Sequence, residues 1–156
     1  MTITAAESCT AGLASDFIAR IPGASKVLWG SFVVYTPEAK EKMLGVSGEL
    51  LAEYGPVSRP VALSMAEGAL KNSGAAFAFS ITGYAGPAGQ EGTSQEGVRP
   101  VPVGTVWIGL AARDSPDRIV SDAEMFSFSG SRNEVREEAA VTALEKLLEY
   151  IDRGEV

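Results

Sequence analysis

Thr2-Ile3-Thr4-Ala5-Ala6, running without a break into Glu7-Ser8-Cys9-Thr10-Ala11-Gly12, is the stretch whose reading decides the fold. The first five residues are small, apolar or β-branched and read as a short strand. A helical pattern then starts at Thr10 and reaches Arg20, where Pro22-Gly23 stops it. A strand passing directly into a helix is the building unit of layered α/β folds. The same change of pattern recurs downstream. Residues 27–35 carry Val27, Trp29, Phe32, Val33, Val34 and Tyr35, the β-branched and aromatic content of a strand. Thr36-Pro37-Glu38 follows as a helix start: the Thr36 hydroxyl can accept from an orphan amide, Pro37 fits the first helical position, and Glu38 suits the positive end of the dipole. That helix should stop at Gly45. A second helix is expected over 47–53, and a third from just after Ser58 past Met65 to about Lys71, closed by Asn72-Ser73-Gly74. Small apolar residues over 75–82 read as a buried strand, although without periodicity a helix stays open.

The C-terminal half continues the alternation. Residues 83–102 form a glycine- and proline-rich stretch with no apolar periodicity, and a loop of that length in a compact domain is usually functional or disordered. Strands are expected at 103–112 and 120–128, paired as a hairpin across 113–118. Ser131 with Glu134 is a capping-box pattern, and Val141, Leu144, Leu148 and Ile151 recur on one face of the last helix. No internal repeat or linker interrupts the 156 residues, so a single layered α/β domain over 1–156 is expected.

Composition excludes several kinds of chemistry. Thirteen Lys and Arg against twenty Asp and Glu give a net charge of −7, which argues against a duplex-binding surface and so against a nucleic-acid partner. There is no histidine and only one cysteine, Cys9, so Ser-His-Asp and Cys-His hydrolysis, histidine zinc sites and an internal disulfide are all ruled out. Uncharged runs such as 27–36 and 74–90 are too short, or too rich in Gly, Pro and Ser, to span a bilayer. No secretory leader is visible, so a cytoplasmic location without membrane attachment is expected. No metal site is expected, since Glu134, Glu137 and Glu138 read as a solvated helix start.

Three junctions carry candidate chemistry. At 7–12, ligands can collect beyond a strand's carboxyl end beside a helix N-terminus, where Ser8 and Thr10 supply hydroxyls. The plainer reading is that one of these two caps the helix. At 35–40, Lys40 falls on a first helical turn, where a cation opposes the dipole. As a surface residue it would pair with Glu38 or Glu41. As a base near neutral pH it must lose roughly 3 units, or about 4 kcal/mol, through desolvation and the helix N-terminus. At 81–87, the glycines of Ile81-Thr82-Gly83-Tyr84-Ala85-Gly86-Pro87 let backbone amides approach an anion, or simply make a tight turn. Arg132, at the start of the last helix, can lend a guanidinium to the same anion or remain an exposed arginine.

Taken together and in order, AESCTAG at 6–12, IPGAS at 21–25, FVVYTPEAK at 32–40, LGV at 44–46, YGPVS at 54–58, MAEGA at 65–69, ITGYAGP at 81–87, PVGTVWIGLA at 102–111 and FSGSRNEVR at 128–136 resemble the C-terminal domain of the competence/damage-inducible CinA family. The resemblance implies a single-domain α/β/α fold with a central mixed sheet. It also implies the hydrolysis of nicotinamide mononucleotide to nicotinic acid mononucleotide and ammonia within pyridine nucleotide salvage, without a cofactor. The family's serine nucleophile and lysine base fall on Ser8 and Lys40, with Tyr35 beside them. Amides from Ser8 through Cys9 to Thr10 would form the oxyanion hole, Thr82, Gly83 and Gly86 would hold ribose or phosphate, and Arg132 would pair the phosphate. Cys9 is the rival nucleophile, expected to point away if the strand alternation continues. A homo-oligomer is expected.

Departures from the family pattern set an alternative beside this. The family carries a helix before the first strand, so one face of the sheet is expected to lose cover here. Ala11 stands where glycine is common, and the loop after Gly86 is longer than usual through Gln90-Glu91-Gly92-Thr93-Ser94-Gln95-Glu96. The alternative is a catalytically inactive pyridine-nucleotide-binding module, or one associated with competence or damage responses.

Overall fold

A computed structural model of the chain describes residues 1–87 and 100–153. The elements run β1 (Ile3–Glu7), α1 (Leu13–Ala19), a 3₁₀ turn (Ala24–Lys26), β2 (Leu28–Val33), α2 (Pro37–Leu44), α3 (Gly48–Tyr54), α4 (Arg59–Ser73), β3 (Phe77–Gly83), β4 (Thr105–Ser115), β5 (Arg118–Ser127) and α5 (Arg132–Asp152). The five strands form one sheet in the order β2-β1-β3-β4-β5. Neighbours among β2, β1 and β3 pair in parallel, and β3, β4 and β5 pair antiparallel, so the sheet is mixed as expected.

Side-chain alternation divides the core into two layers. Ile3 and Ala5 of β1, with Phe77, Phe79 and Ile81 of β3, pack under α1 and α5. Ala6 and Ala78 face the opposite way, into a core built with Leu44 of α2, Leu51 of α3 and Val61 and Met65 of α4. The result is an α/β/α fold. Because β1 sits between β2 and β3, the chain leaves it to one side and returns on the other, and ligand sites gather beyond the strand ends at such a switch point.

Local chemistry explains most element ends. Thr36 caps α2 by accepting from the Ala39 amide, Ser47 caps α3 through Leu50, and Ser131 and Glu134 form the reciprocal capping box of α5. The β4–β5 hairpin is tighter than the sequence indicates, because both strands continue to Ser115 and from Arg118. The middle of the long loop, 88–99, including the Gln90 to Glu96 run, lies outside the described residues.

The face of α5 differs from expectation. Val135, Ala139, Ala140, Ala143, Leu147 and Tyr150 are the buried positions; of the expected four, Leu144 and Ile151 pack partly buried against the same core, whereas Val141 and Leu148 are exposed. Alanines let this helix lie close over β3 and β4, and that short approach outweighs the bulk of the larger residues. A similar close approach occurs at Gly68, where an added Cβ would lie 2.2 Å from the Leu44 carbonyl oxygen.

Candidate active site

β1 ends in a sharp turn, with Ala11 at φ 51° and Gly12 at φ 94°. What holds the turn is Glu7. Its fully buried carboxylate accepts hydrogen bonds from the amides of Gly12 (3.1 Å), Ala14 (3.0 Å) and Ser15 (2.9 Å) and from the Ser15 hydroxyl (2.7 Å). Gly12 occupies the N-cap with no side-chain capping bond, so neither Ser8 nor Thr10 is spent as a cap. Helix α1 accordingly begins at Leu13 rather than at Thr10.

Lys40 is buried rather than solvated, with 1% of its surface exposed. From the first turn of α2 its side chain runs inward, and Nζ donates to Ser8 Oγ at 2.8 Å and to the Val34 carbonyl at 2.9 Å. Neither acidic neighbour reaches it, and Glu38 pairs instead with Lys42. Burial pulls the ammonium from its ordinary 10.5 down to about 8. A serine hydroxyl and an amine that can be neutral near physiological pH therefore share a hydrogen bond. Such a pairing is chemically able to serve as a nucleophile with its base.

Both groups line a cavity of about 330 Å³, with Cys9, Tyr35, Thr82, Gly83, Gly86 and Arg132 among its other walls. Eight of the nine residues singled out from the sequence meet here. Thr10 does not line it: its buried hydroxyl has no hydrogen-bond partner among the described residues, and its carbonyl accepts from Arg136 Nη2 at 3.0 Å. Thr82 Oγ1 is already engaged with the Pro56 carbonyl at 2.7 Å. Tyr35 reaches the cavity, but its hydroxyl accepts from Arg132 Nη2 at 2.6 Å rather than meeting Ser8 or Lys40. Arg132 also donates to the Gly86 carbonyl, tying α5 to the glycine turn.

Cys9 is buried in the core under α1 and α5, and burial pushes its thiol up to about 11. A protonated thiol is a poor nucleophile. The described walls contain two cations, Lys40 and Arg132, and no carboxylate, so the cavity is electropositive in a chain of net charge −7. Among the described residues no group of three His, Cys, Asp or Glu side chains is placed to hold a metal ion.

The family model described as the CinA C-terminal domain matches residues 1–151. The chain belongs to the CinA C-terminal domain family. A nicotinamide-nucleotide amidohydrolase, PncC, of Escherichia coli (strain K12) is 44% identical over 146 residues, covering 94% of this chain and 82% of that protein. A CinA-like protein of Anaeromyxobacter sp. (strain K) is 43% identical over 141 residues, which are 90% of this chain and 32% of that protein. The chain spans about a third of the length of the first curated relatives it matches. The crystal structure of the competence/damage inducible protein CihA from Agrobacterium tumefaciens superposes with a TM-score of 0.80 at 40% identity, covering 95% of this chain and 84% of that one.

Two residues of this CinA C-terminal domain escaped sequence reasoning. Glu7 was visible within the strand-to-helix junction, but its role needs the fold of the turn back onto its carboxylate. A sequence signal existed: an acidic residue closing a buried strand, followed by a helix start that lacks a capping side chain. Arg136 closes the FSGSRNEVR segment with no role of its own assigned from the sequence, yet it reaches the carbonyls of Cys9 and Thr10 across the chain. The Val34 carbonyl, which orients Lys40, has no sequence signature at all.

Proposed function

We propose that this CinA C-terminal domain hydrolyses the carboxamide of nicotinamide mononucleotide, giving nicotinic acid mononucleotide and ammonia, with Ser8 as nucleophile and Lys40 as base. One observation carries the reading: the buried Lys40 amine, 2.8 Å from the Ser8 hydroxyl and pulled down to about 8, in a chain with no histidine. The relative named as a nicotinamide-nucleotide amidohydrolase supplies the substrate class. The electropositive cavity supports it, being of a size suited to one mononucleotide and lined by Arg132 for a phosphate.

In the reactive form Lys40 is neutral, donates to the Val34 carbonyl and accepts the Ser8 hydroxyl proton. Ser8 Oγ attacks the carboxamide carbon as that proton passes to Nζ. The tetrahedral oxyanion is held by the amide of Cys9, a wall of the cavity that carries no backbone hydrogen bond among the described residues, whereas the Ser8 amide is taken by the Ile81 carbonyl. Donors of this kind are commonly worth about 10²–10³ in rate each. The Lys40 ammonium then protonates the leaving nitrogen, ammonia departs, and an acyl-enzyme remains on Ser8. Neutral Lys40 next takes a proton from water, whose oxygen attacks the acyl carbon. The Ser8–acyl bond breaks, Ser8 recovers its proton from Lys40, and the carboxylic product leaves.

The test is ammonia release from nicotinamide mononucleotide by the purified chain. Ser8→Ala and Lys40→Ala should lower turnover by at least about 10³-fold, whereas Cys9→Ala should keep most of it. Full activity in Ser8→Ala, or loss confined to Cys9→Ala with the fold intact, would overturn the assignment.

A further inference from the structure

Tyr84 is an aromatic wall of the cavity that the reaction above does not use. Side chains alternate along this end of β3: Ile81 and Ala85 lie in the core under α1 and α5, so Thr82 and Tyr84 face the other way. Ser8 shares that face, because its neighbours Glu7 and Cys9 turn toward α1. Glu7 pairs with Ile81 and the Ser8 amide donates to the Ile81 carbonyl at 2.9 Å, which sets Ser8 beside Thr82. Tyr84 stands two residues farther on, about 6.5 Å along the strand. Its backbone is fixed in both directions, the amide donating to the Thr105 carbonyl at 3.0 Å and the carbonyl accepting from the Gly104 amide at 2.7 Å.

The side chain is half-buried, and burial holds its phenol above the ordinary range, so the ring is uncharged at neutral pH. Among the described residues it lies under no lysine or arginine and stacks on no other ring. Tyr35 differs, since its hydroxyl already accepts from the Arg132 guanidinium at 2.6 Å. Nicotinamide mononucleotide carries a fixed positive charge on its pyridine ring as well as a negative phosphate. The described walls hold no carboxylate to meet that positive charge, and their two cations, Lys40 and Arg132, oppose it. An aromatic face attracts a cation without a counter-charge, through the negative potential over the ring.

We propose that the ring of Tyr84 is the platform on which the substrate's pyridinium rests, selecting the cationic ring over its neutral dihydropyridine form. The proposal rests on the amidohydrolase reading. The ring charge is the same in the ground and transition states, so the platform binds both alike. Tyr84→Leu is therefore expected to raise KM for ammonia release by about 3- to 30-fold with kcat within about twofold. Tyr84→Phe, which keeps the aromatic face, should stay within about twofold of wild type in both constants.

A turnover-independent arm titrates the Ser8→Ala chain in a calorimeter with nicotinamide mononucleotide and with its reduced, neutral dihydro form. The cationic form should bind about 3- to 30-fold more tightly. Adding Tyr84→Leu or Tyr84→Met should bring the two affinities within about twofold of each other, whereas adding Tyr84→Phe should keep the preference. Equal binding of the two forms by Ser8→Ala, a preference that survives removal of the ring, or loss of kcat with KM unchanged in Tyr84→Leu would overturn the role of Tyr84 while leaving the hydrolase reading standing. Loss of fold in both non-aromatic variants would do the same, by making the ring structural. Binding of the cationic form without ammonia release by wild type removes the hydrolase reading instead, and the two affinities then decide Tyr84 alone. Neither binding nor turnover overturns both.

Discussion

In the proposed reaction, the environment of Lys40 bears on both activity and stability. Since its pKa lies at about 8, kcat/KM for the amide should rise with pH through that value as the amine becomes neutral, a limb absent from the residual rate of Lys40→Ala. A pH–rate profile that is flat between 6 and 9 would argue against Lys40 as the base. The same shift works against stability. The unfolded lysine titrates near 10.5 and the folded one near 8, so between these values the unfolded chain binds more protons. Stability therefore rises across that window, and below it the buried ammonium costs about 3 kcal/mol. Denaturant midpoints of wild type measured against Lys40→Met should converge or cross as pH rises from 8 to 10.5. Ala11 offers a second residue-scale case. Its φ of 51° is one that side chains resist, so Ala11→Gly should gain about 0.5–1 kcal/mol, raising the melting temperature by about 1–4 °C. The spacing from the strand to Lys40 was legible in the sequence. Its burial was not, because nothing local distinguishes a first-turn lysine that faces solvent from one that faces Ser8.

At the scale of elements, the helix starts were legible because capping is local chemistry: Thr36, Ser47 and Ser131 act within three or four residues of themselves. The start of α1 was misread because its cap is Glu7, reached through the folded turn. Glu7→Gln keeps the shape but replaces a charged acceptor of four hydrogen bonds. It should lower stability by about 2–3 kcal/mol in a denaturant titration and reduce turnover by loosening Ser8. On α5, Val141 and Leu148 were misread for a different reason, while Leu144 and Ile151 do pack on the core. A hydrophobic pattern records which residues could be buried, whereas the sheet selected the alanine stripe that permits the closest approach. The crossing of α4 over α2 makes the same demand at Gly68. Gly68→Ala should cost at least about 1–3 kcal/mol, since the obstructing atom is the backbone carbonyl of Leu44 rather than a movable side chain.

For the whole molecule, the −7 net charge and the electropositive cavity together define the expected ligand as a small anion taken into a positive niche, rather than a polyanion laid across a surface. Nicotinic acid mononucleotide at about a hundred times its Kd should stabilise the fold by about 2.7 kcal/mol, visible as a melting shift of about 5–10 °C. Arg132→Ala should lose much of that shift at the same concentration, because a charge-assisted pair to phosphate disappears. An unchanged shift would move the phosphate site away from Arg132. By itself the sequence determined the order of elements, the α/β class, the exclusion of histidine chemistry and the three junctions where the site is built. These follow from composition, spacing and capping, which act over a few residues. Only the tertiary structure decided that β1 lies between β2 and β3, that Lys40 meets Ser8 across 32 positions, that Arg136 reaches Cys9 and Thr10 from α5, and that Thr10 stays outside the cavity. Those outcomes depend on how layers stack and what they desolvate, and the energy of such burial belongs to the packed arrangement rather than to any stretch of chain.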